Sequence, residues 1–218
     1  MSNRKPSILV AAALFTTSGC MPQVLHGPRV EPGTTGALHV SVTKTGEGYG
    51  LGAGEITILP TLNGGVRHGW VSPGGRSAAS LGLQVPILGI IVAGTTAEDV
   101  RWMSDITLAD LYLQPWRDAG GAADFGAGVM ASTGVAMPYV QYGHTLDSGN
   151  SWYVTQAVVM YGGDEVLWLP SLTWREDGRG NGRAVHFTAS AGVPASGETR
   201  IGFLNFGITT ELGLPRAR

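Results

Sequence analysis

The chain has 218 residues, a formal charge of −2, 14% charged residues and 34 glycines. Mild acidity with scattered charge argues against a nucleic-acid partner, and the single cysteine, Cys20, excludes an intrachain disulfide and a four-cysteine zinc site. Abundant glycine argues against a helical protein, since glycine in a helix interior costs about 1 kcal/mol relative to alanine.

The first element is a signal. Arg4 and Lys5 form a positive start, Ile8 to Phe15 form an apolar run, and Thr17, Ser18 and Gly19 are the small residues a peptidase pocket accepts. The apolar run falls well short of the roughly 20 residues a spanning helix needs. Residues 1–19 are therefore expected to leave, taking the formal charge to −4 by loss of Arg4 and Lys5.

The stretch "TTSGCMP" resembles the lipobox of bacterial lipoproteins, where small residues precede a cysteine that is acylated and becomes the new N-terminus. Thr17 departs from that pattern, which usually has an aliphatic residue there. The resemblance implies lipidation at Cys20 and membrane lipid as a partner. With Met21 rather than an aspartate following the cysteine, it implies the outer membrane as destination. Several acyl chains, at about 0.8 kcal/mol per buried CH₂, would hold firmly.

Residues 20–36 contain "PQVLHGPRVEPGTTG", which has proline and glycine but no periodicity, and are expected as a tether or entry segment. From residue 37 to 214 the chain becomes a succession of runs about ten residues long. Strands are expected near residues 37–45, 55–71, 77–86, 104–114, 124–136, 138–146, 151–161, 165–175, 183–193 and 199–212. Turn chemistry separates them, as in Ser72-Pro73-Gly74-Gly75 and Asp147-Ser148-Gly149-Asn150. The expected fold is an all-β antiparallel meander, a barrel of about 8–10 strands.

Alternation sorts these runs into two faces. Val185, Phe187, Ala189, Ala191 and Val193 oppose His186, Thr188, Ser190 and Gly192, and Leu204, Phe206, Ile208 and Leu212 oppose Asn205, Gly207, Thr209 and Glu211. A soluble sandwich or barrel with the oily face inward satisfies this pattern, and so does a membrane barrel with the oily face outward. Trp70, Trp116, Trp152, Tyr153, Tyr161 and Trp174 near expected strand ends favour the second, where they would form interfacial girdles.

Segments such as "LNGGVRHGWV", "SLGLQVP" and "ITLADLYLQP" resemble the hairpin strands of bacterial outer-membrane β-barrel proteins. That resemblance is architectural and implies no functional motif. The ending "ELGLPRAR", without a terminal aromatic, departs from it and keeps a lipid-tethered soluble β domain open, binding a hydrophobic ligand or a partner protein as lipocalins do. "VPILGIIVAG", Val85 to Gly94, is a continuous apolar run expected as a buried structural segment.

Chemistry is sparse. The chain has no HExxH, GxSxG or P-loop motif, and "GYGLGA", residues 48–53, lacks the strand-turn-helix setting of a dinucleotide site. His144, Ser148 and Asn150 have the residue types of barrel-borne lipid deacylases but not their spacing, and read as turn chemistry. His26, His39, His68 and His186 lack metal-ligand spacing. No cofactor, metal or catalytic residue is expected. The candidate lumen-lining residues are Glu55, Arg67, Asp105, His186, Arg200 and Glu211, which alternation sends to the non-oily face. The expected protein is an outer-membrane lipoprotein with a barrel body, structural or transport-related and non-enzymatic.

Overall fold

The computed structural model describes residues 23–47, 57–87, 107–117, 123–132, 135–161, 165–177, 183–196 and 201–213. The signal segment, Cys20, the 48–53 glycine run and most of the Val85–Gly94 run lie outside them.

Ten strands run in chain order: β1 Gly33–Glu47, β2 Thr57–Val71, β3 Ala78–Pro86, β4 Leu108–Arg117, β5 Ala123–Ser132, β6 Val135–Thr145, β7 Ser151–Tyr161, β8 Glu165–Asp177, β9 Arg183–Ser196 and β10 Ile201–Gly213. Each pairs antiparallel with its sequence neighbour, and β1 pairs with β10, Val42 opposite Phe206, to close a barrel. Closure removes every sheet edge. The expected ten-run meander is the observed fold.

The turns follow from their residues. At Ser72–Ser77, the Gly75 amide donates to the Ser72 carbonyl at 2.8 Å and Gly75 takes φ 68°, the left-handed region that favours glycine. At Leu146–Asn150, Gly149 does the same with φ 86°. β6 starts three residues before the expected Pro138, because that proline sits mid-strand where the β6–β7 ladder lapses at Met137 and Pro138 without a change of register, Ala136 facing Met160 and Tyr139 facing Ala157. A residue without an N–H is confined to such places in a sheet.

The two faces divide as alternation demands, and the oily one points outward. In β1, Leu38, Val40 and Val42 are 46, 51 and 47% exposed, whereas His39, Ser41 and Thr43 between them are buried. The same holds for Leu111 and Leu113 against Asp110, Tyr112 and Gln114 in β4, and for Phe206 and Ile208 against Asn205 and Thr209 in β10. A soluble barrel has the opposite polarity. This is the membrane-type arrangement, an apolar band outside and polar side chains within.

Strand direction defines two rims. At the near rim β1 begins and β10 ends, and residues 72–77 and 146–150 turn; at the far rim β1 ends and β2 begins, and β3 ends and β4 begins, the two strand pairs with the longest stretches of sequence between them, residues 48–56 and 87–107. Exposed Trp70, Trp116 and Trp174 stand close to the near rim, a belt of the kind found where hydrocarbon meets water. Tyr153 corrects the expected girdle: it is buried in the lumen, hydrogen-bonded to His186 at 2.8 Å. Trp152 and Tyr153 are adjacent, so a period of 2 cannot send both outward.

An arginine outside therefore tests depth. Val140→Arg, midway along β6 on the exposed face, should cost about 2–4 kcal/mol in unfolding from lipid vesicles, and Leu212→Arg near the rim about 0–1 kcal/mol. Equal costs at both positions would contradict a barrel whose outside meets hydrocarbon.

Candidate functional site: the threaded lumen

Residues 23–30, part of the expected tether, run inside the barrel, hydrogen-bonded to lumen side chains, and β1 starts at Gly33 rather than residue 37. The segment lies extended along β4 with a constant offset. His26 meets Asp110, Pro28 meets Tyr112 and Val30 meets Gln114, each pair 84 residues apart and each two residues further along both chains. Two parallel extended segments share the same period of 2, so every second residue of one faces every second residue of the other. The contacts are the Tyr112 hydroxyl donating to the Pro28 carbonyl at 3.0 Å and the Val30 amide donating to Gln114 Oε1 at 3.0 Å.

His26 is the best-held residue of the segment. Its Nε2 lies 3.1 Å from Asp110 Oδ2 and 2.9 Å from the Tyr139 hydroxyl, which itself donates to Asp110 Oδ1 at 2.6 Å. Gln141 Nε2 donates to the His26 carbonyl at 2.9 Å. Tyr112 and Tyr139 stack with ring centroids 5.8 Å apart and planes 4° from parallel, and the His26 ring meets Tyr112 edge-on at 4.9 Å. Buried polar groups tolerate this setting because partners replace water.

Both ends of the segment are tied as well. Gln23 Nε2 donates to Asn205 Oδ1 at 2.6 Å, and Asn205 Nδ2 donates to Thr43 Oγ1 at 2.7 Å. Towards the near rim, Arg29 Nη1 lies 3.6 Å from Asp124 Oδ2, and Gln114 Nε2 donates to Asp124 Oδ1 at 2.7 Å. Glycines make the room. A Cβ on Gly69 would collide with the Glu31 carbonyl, and one on Gly143 would come within 2.5 Å of Pro28 Cγ.

Of the expected lumen residues, Arg67, His186 and Glu211 face inward on the near-rim side. Arg67 Nε donates to Ser80 Oγ at 2.7 Å, with its guanidinium 5.2 Å from the Tyr112 ring centroid. Glu211 Oε2 lies 3.2 Å from His186 Nε2 and 3.8 Å from Arg175 Nε. Glu55, Asp105 and Arg200 lie outside the described residues. Sequence reasoning missed His26, Asp110, Tyr139 and Gln141, and placed Asn205 on the polar face without naming it as a lumen residue. The β4 run "ADLYLQ" carried a usable signal, since Asp110, Tyr112 and Gln114 alternate there with Leu111 and Leu113.

Towards the far rim one side of the interior is apolar, with Leu108, Met130, Met137, Val159, Leu169 and Phe203 buried together and Val24 against them, beside the polar Gln23–Asn205–Thr43 contacts. A cavity of about 70 Å³ remains near Arg67, Arg175 and Glu211, and one of about 30 Å³ beside Gln23 and Met137. A water molecule occupies about 30 Å³ in the liquid. Spaces of that size have room for water molecules.

His144 and Ser148 are not brought into a hydrolytic arrangement. His144 lies against the Trp152 ring at 6.2 Å, and Ser148 Oγ accepts from the Asn150 amide at 3.4 Å, as a turn residue does. Among the described residues no group of three or more His, Cys, Asp or Glu side chains is placed to hold a metal ion, and no helix is long and apolar enough to cross a membrane.

Fold and site together define a class: a closed ten-stranded barrel, apolar outside, with its own N-terminal segment threaded through a polar lumen. No protein-family model and no curated protein matches the chain. Among solved structures it is similar to the COG4313 outer membrane channel from Pseudomonas putida F1, at 10% identity and a TM-score of 0.48 over 88% of this chain and 100% of that one. It is also similar to the P pilus usher (PapC) translocation pore, at 11% identity and a TM-score of 0.40 over 85% of this chain. The match spans 32% of the usher's length. Neisserial surface protein A is a further neighbour, at 7% identity and a TM-score of 0.32, with 84% and 98% of the two chains covered.

Proposed function

We propose that this protein is an outer-membrane β-barrel lipoprotein, anchored through Cys20, with a structural or transport-related role and no enzymatic activity. The observation that carries the reading is the inverted polarity of the barrel: large aliphatic and aromatic side chains outside, hydrogen-bonded His, Asp, Gln and Asn inside. An apolar outer surface of that extent is stable in hydrocarbon and costly in water. The filled lumen supports a closed resting state. The acyl anchor rests on the sequence around Cys20 and adds to the hold of the barrel wall without replacing it.

Extraction tests this. With Cys20→Ser, the protein should stay in the outer-membrane fraction through carbonate washing, leave it only with detergent, and migrate faster unheated than heated in electrophoresis. Release into the aqueous phase on removal of the acylation site would identify a tethered soluble domain instead.

A further inference from the structure

The direction of the lumen segment has a consequence for sidedness. Gln23 is tied to Asn205, four residues into β10 from the far rim, while Val30 is tied to Gln114 and Glu31 packs at Gly69, both close to the near rim. The chain thus crosses the barrel from far rim to near rim before Gly33, at φ 110°, reverses it into β1. β10 returns to the near rim at Gly213. The two ends of the barrel domain therefore leave through opposite mouths.

Resting on the reading above, we infer that the acylated N-terminus sits in the membrane leaflet at the far rim, on the cell surface, and that the C-terminal end stays in the periplasm.

Reach supports the first half. Asn205 lies about 10 Å below the far rim, counting four residues at about 3.4 Å on a strand tilted by about 40°. Residues 20–23 extended also span about 10 Å. Three residues separate Cys20 from Gln23, enough chain to reach the far rim from the level of Asn205, whereas a return to the near rim would need a second chain through a lumen the first already fills. Loop length supports the second half. Membrane barrels of this kind place short turns on the periplasmic side and long loops outside; here every near-rim connection is five or six residues, while the far rim joins its strands through the two longest stretches, residues 48–56 and 87–107, together with the three shortest, 133–134, 162–164 and 197–200.

Two epitope tags on the full chain decide it, one inserted between Met21 and Pro22 and one after Arg218. Antibody should bind the first on intact cells and the second only after the outer membrane is permeabilised. Both tags becoming reachable only on permeabilisation would overturn the inference while leaving an integral barrel intact. Loss of heat-dependent migration or of membrane retention would instead remove the barrel reading itself. Threading has its own readout: Pro28→Cys with Gly143→Cys should form an intramolecular disulfide that shifts non-reducing migration relative to either single variant. A pair that stays reduced under oxidation would place the segment outside the lumen and end the proposal.

Discussion

Deleting Gln23 to Glu31 turns a silent barrel into a conducting one. In planar bilayers the full-length protein should show no discrete openings, because the lumen segment and the side chains bound to it occupy the bore from Gln23 against Asn205 to Val30 against Gln114. The deletion removes backbone along the axis, from the level of Asn205 to that of Gly69, and leaves Asp110, Gln114, Gln141 and Asn205 facing water. Those groups are polar, so a water-filled lumen suits them. Steps at least tenfold above baseline are expected. The wall side chains must not themselves close the bore: in barrels of eight or so strands they do, whereas larger barrels leave channels. A deletion variant that folds, shown by heat-dependent migration, yet stays silent would mean that Tyr112, Tyr139 and Arg67 occlude the lumen without help.

Asp110→Ala should destabilise the protein by about 1–3 kcal/mol for each of the two buried groups, the Tyr139 hydroxyl and the His26 ring, that it leaves without a partner. Asp110 is buried and receives the Tyr139 hydroxyl on one oxygen, with His26 on the other. Truncation leaves a phenol and an imidazole without their acceptor. The informative measurement is the cycle with His26→Ala, by urea unfolding from vesicles. Residues in one hydrogen-bonded network should show a coupling of about 0.5–3 kcal/mol. Purely additive effects would mean that Asp110 stabilises the β4–β6 wall and not the threaded segment. Asp110→Asn keeps an acceptor for Tyr139 and should fall between wild type and alanine.

Strand positions were readable because each run carries its own evidence: a period of 2 between turn residues whose conformations are local. The β8 and β9 runs start where their residues suggested, and the Gly75 and Gly149 turns use the glycines the sequence placed there. Boundaries moved where proline misled, as at Pro138, which stands in mid-strand with its register to both neighbours unbroken and only its ladder contacts to β7 missing. Arg67, His186 and Glu211 were picked out by alternation alone, but His26 was not. It sits in a stretch with no period, and its partners Asp110, Tyr139 and Gln141 are 84, 113 and 115 residues away.

By itself, then, the amino-acid order determined which residues share a face, where the chain turns and that the strands form an antiparallel meander, since all of these follow from neighbours a few residues apart. It did not determine which face meets the lumen, because alternation is the same pattern whether read from inside or outside. Nor did it determine that residues 23–30 belong inside. A polar, proline-containing stretch satisfies its backbone groups equally well with water or with lumen side chains, and only closure of β1 onto β10 creates an interior lined by Gln114, Gln141 and Asn205 in which the second choice exists.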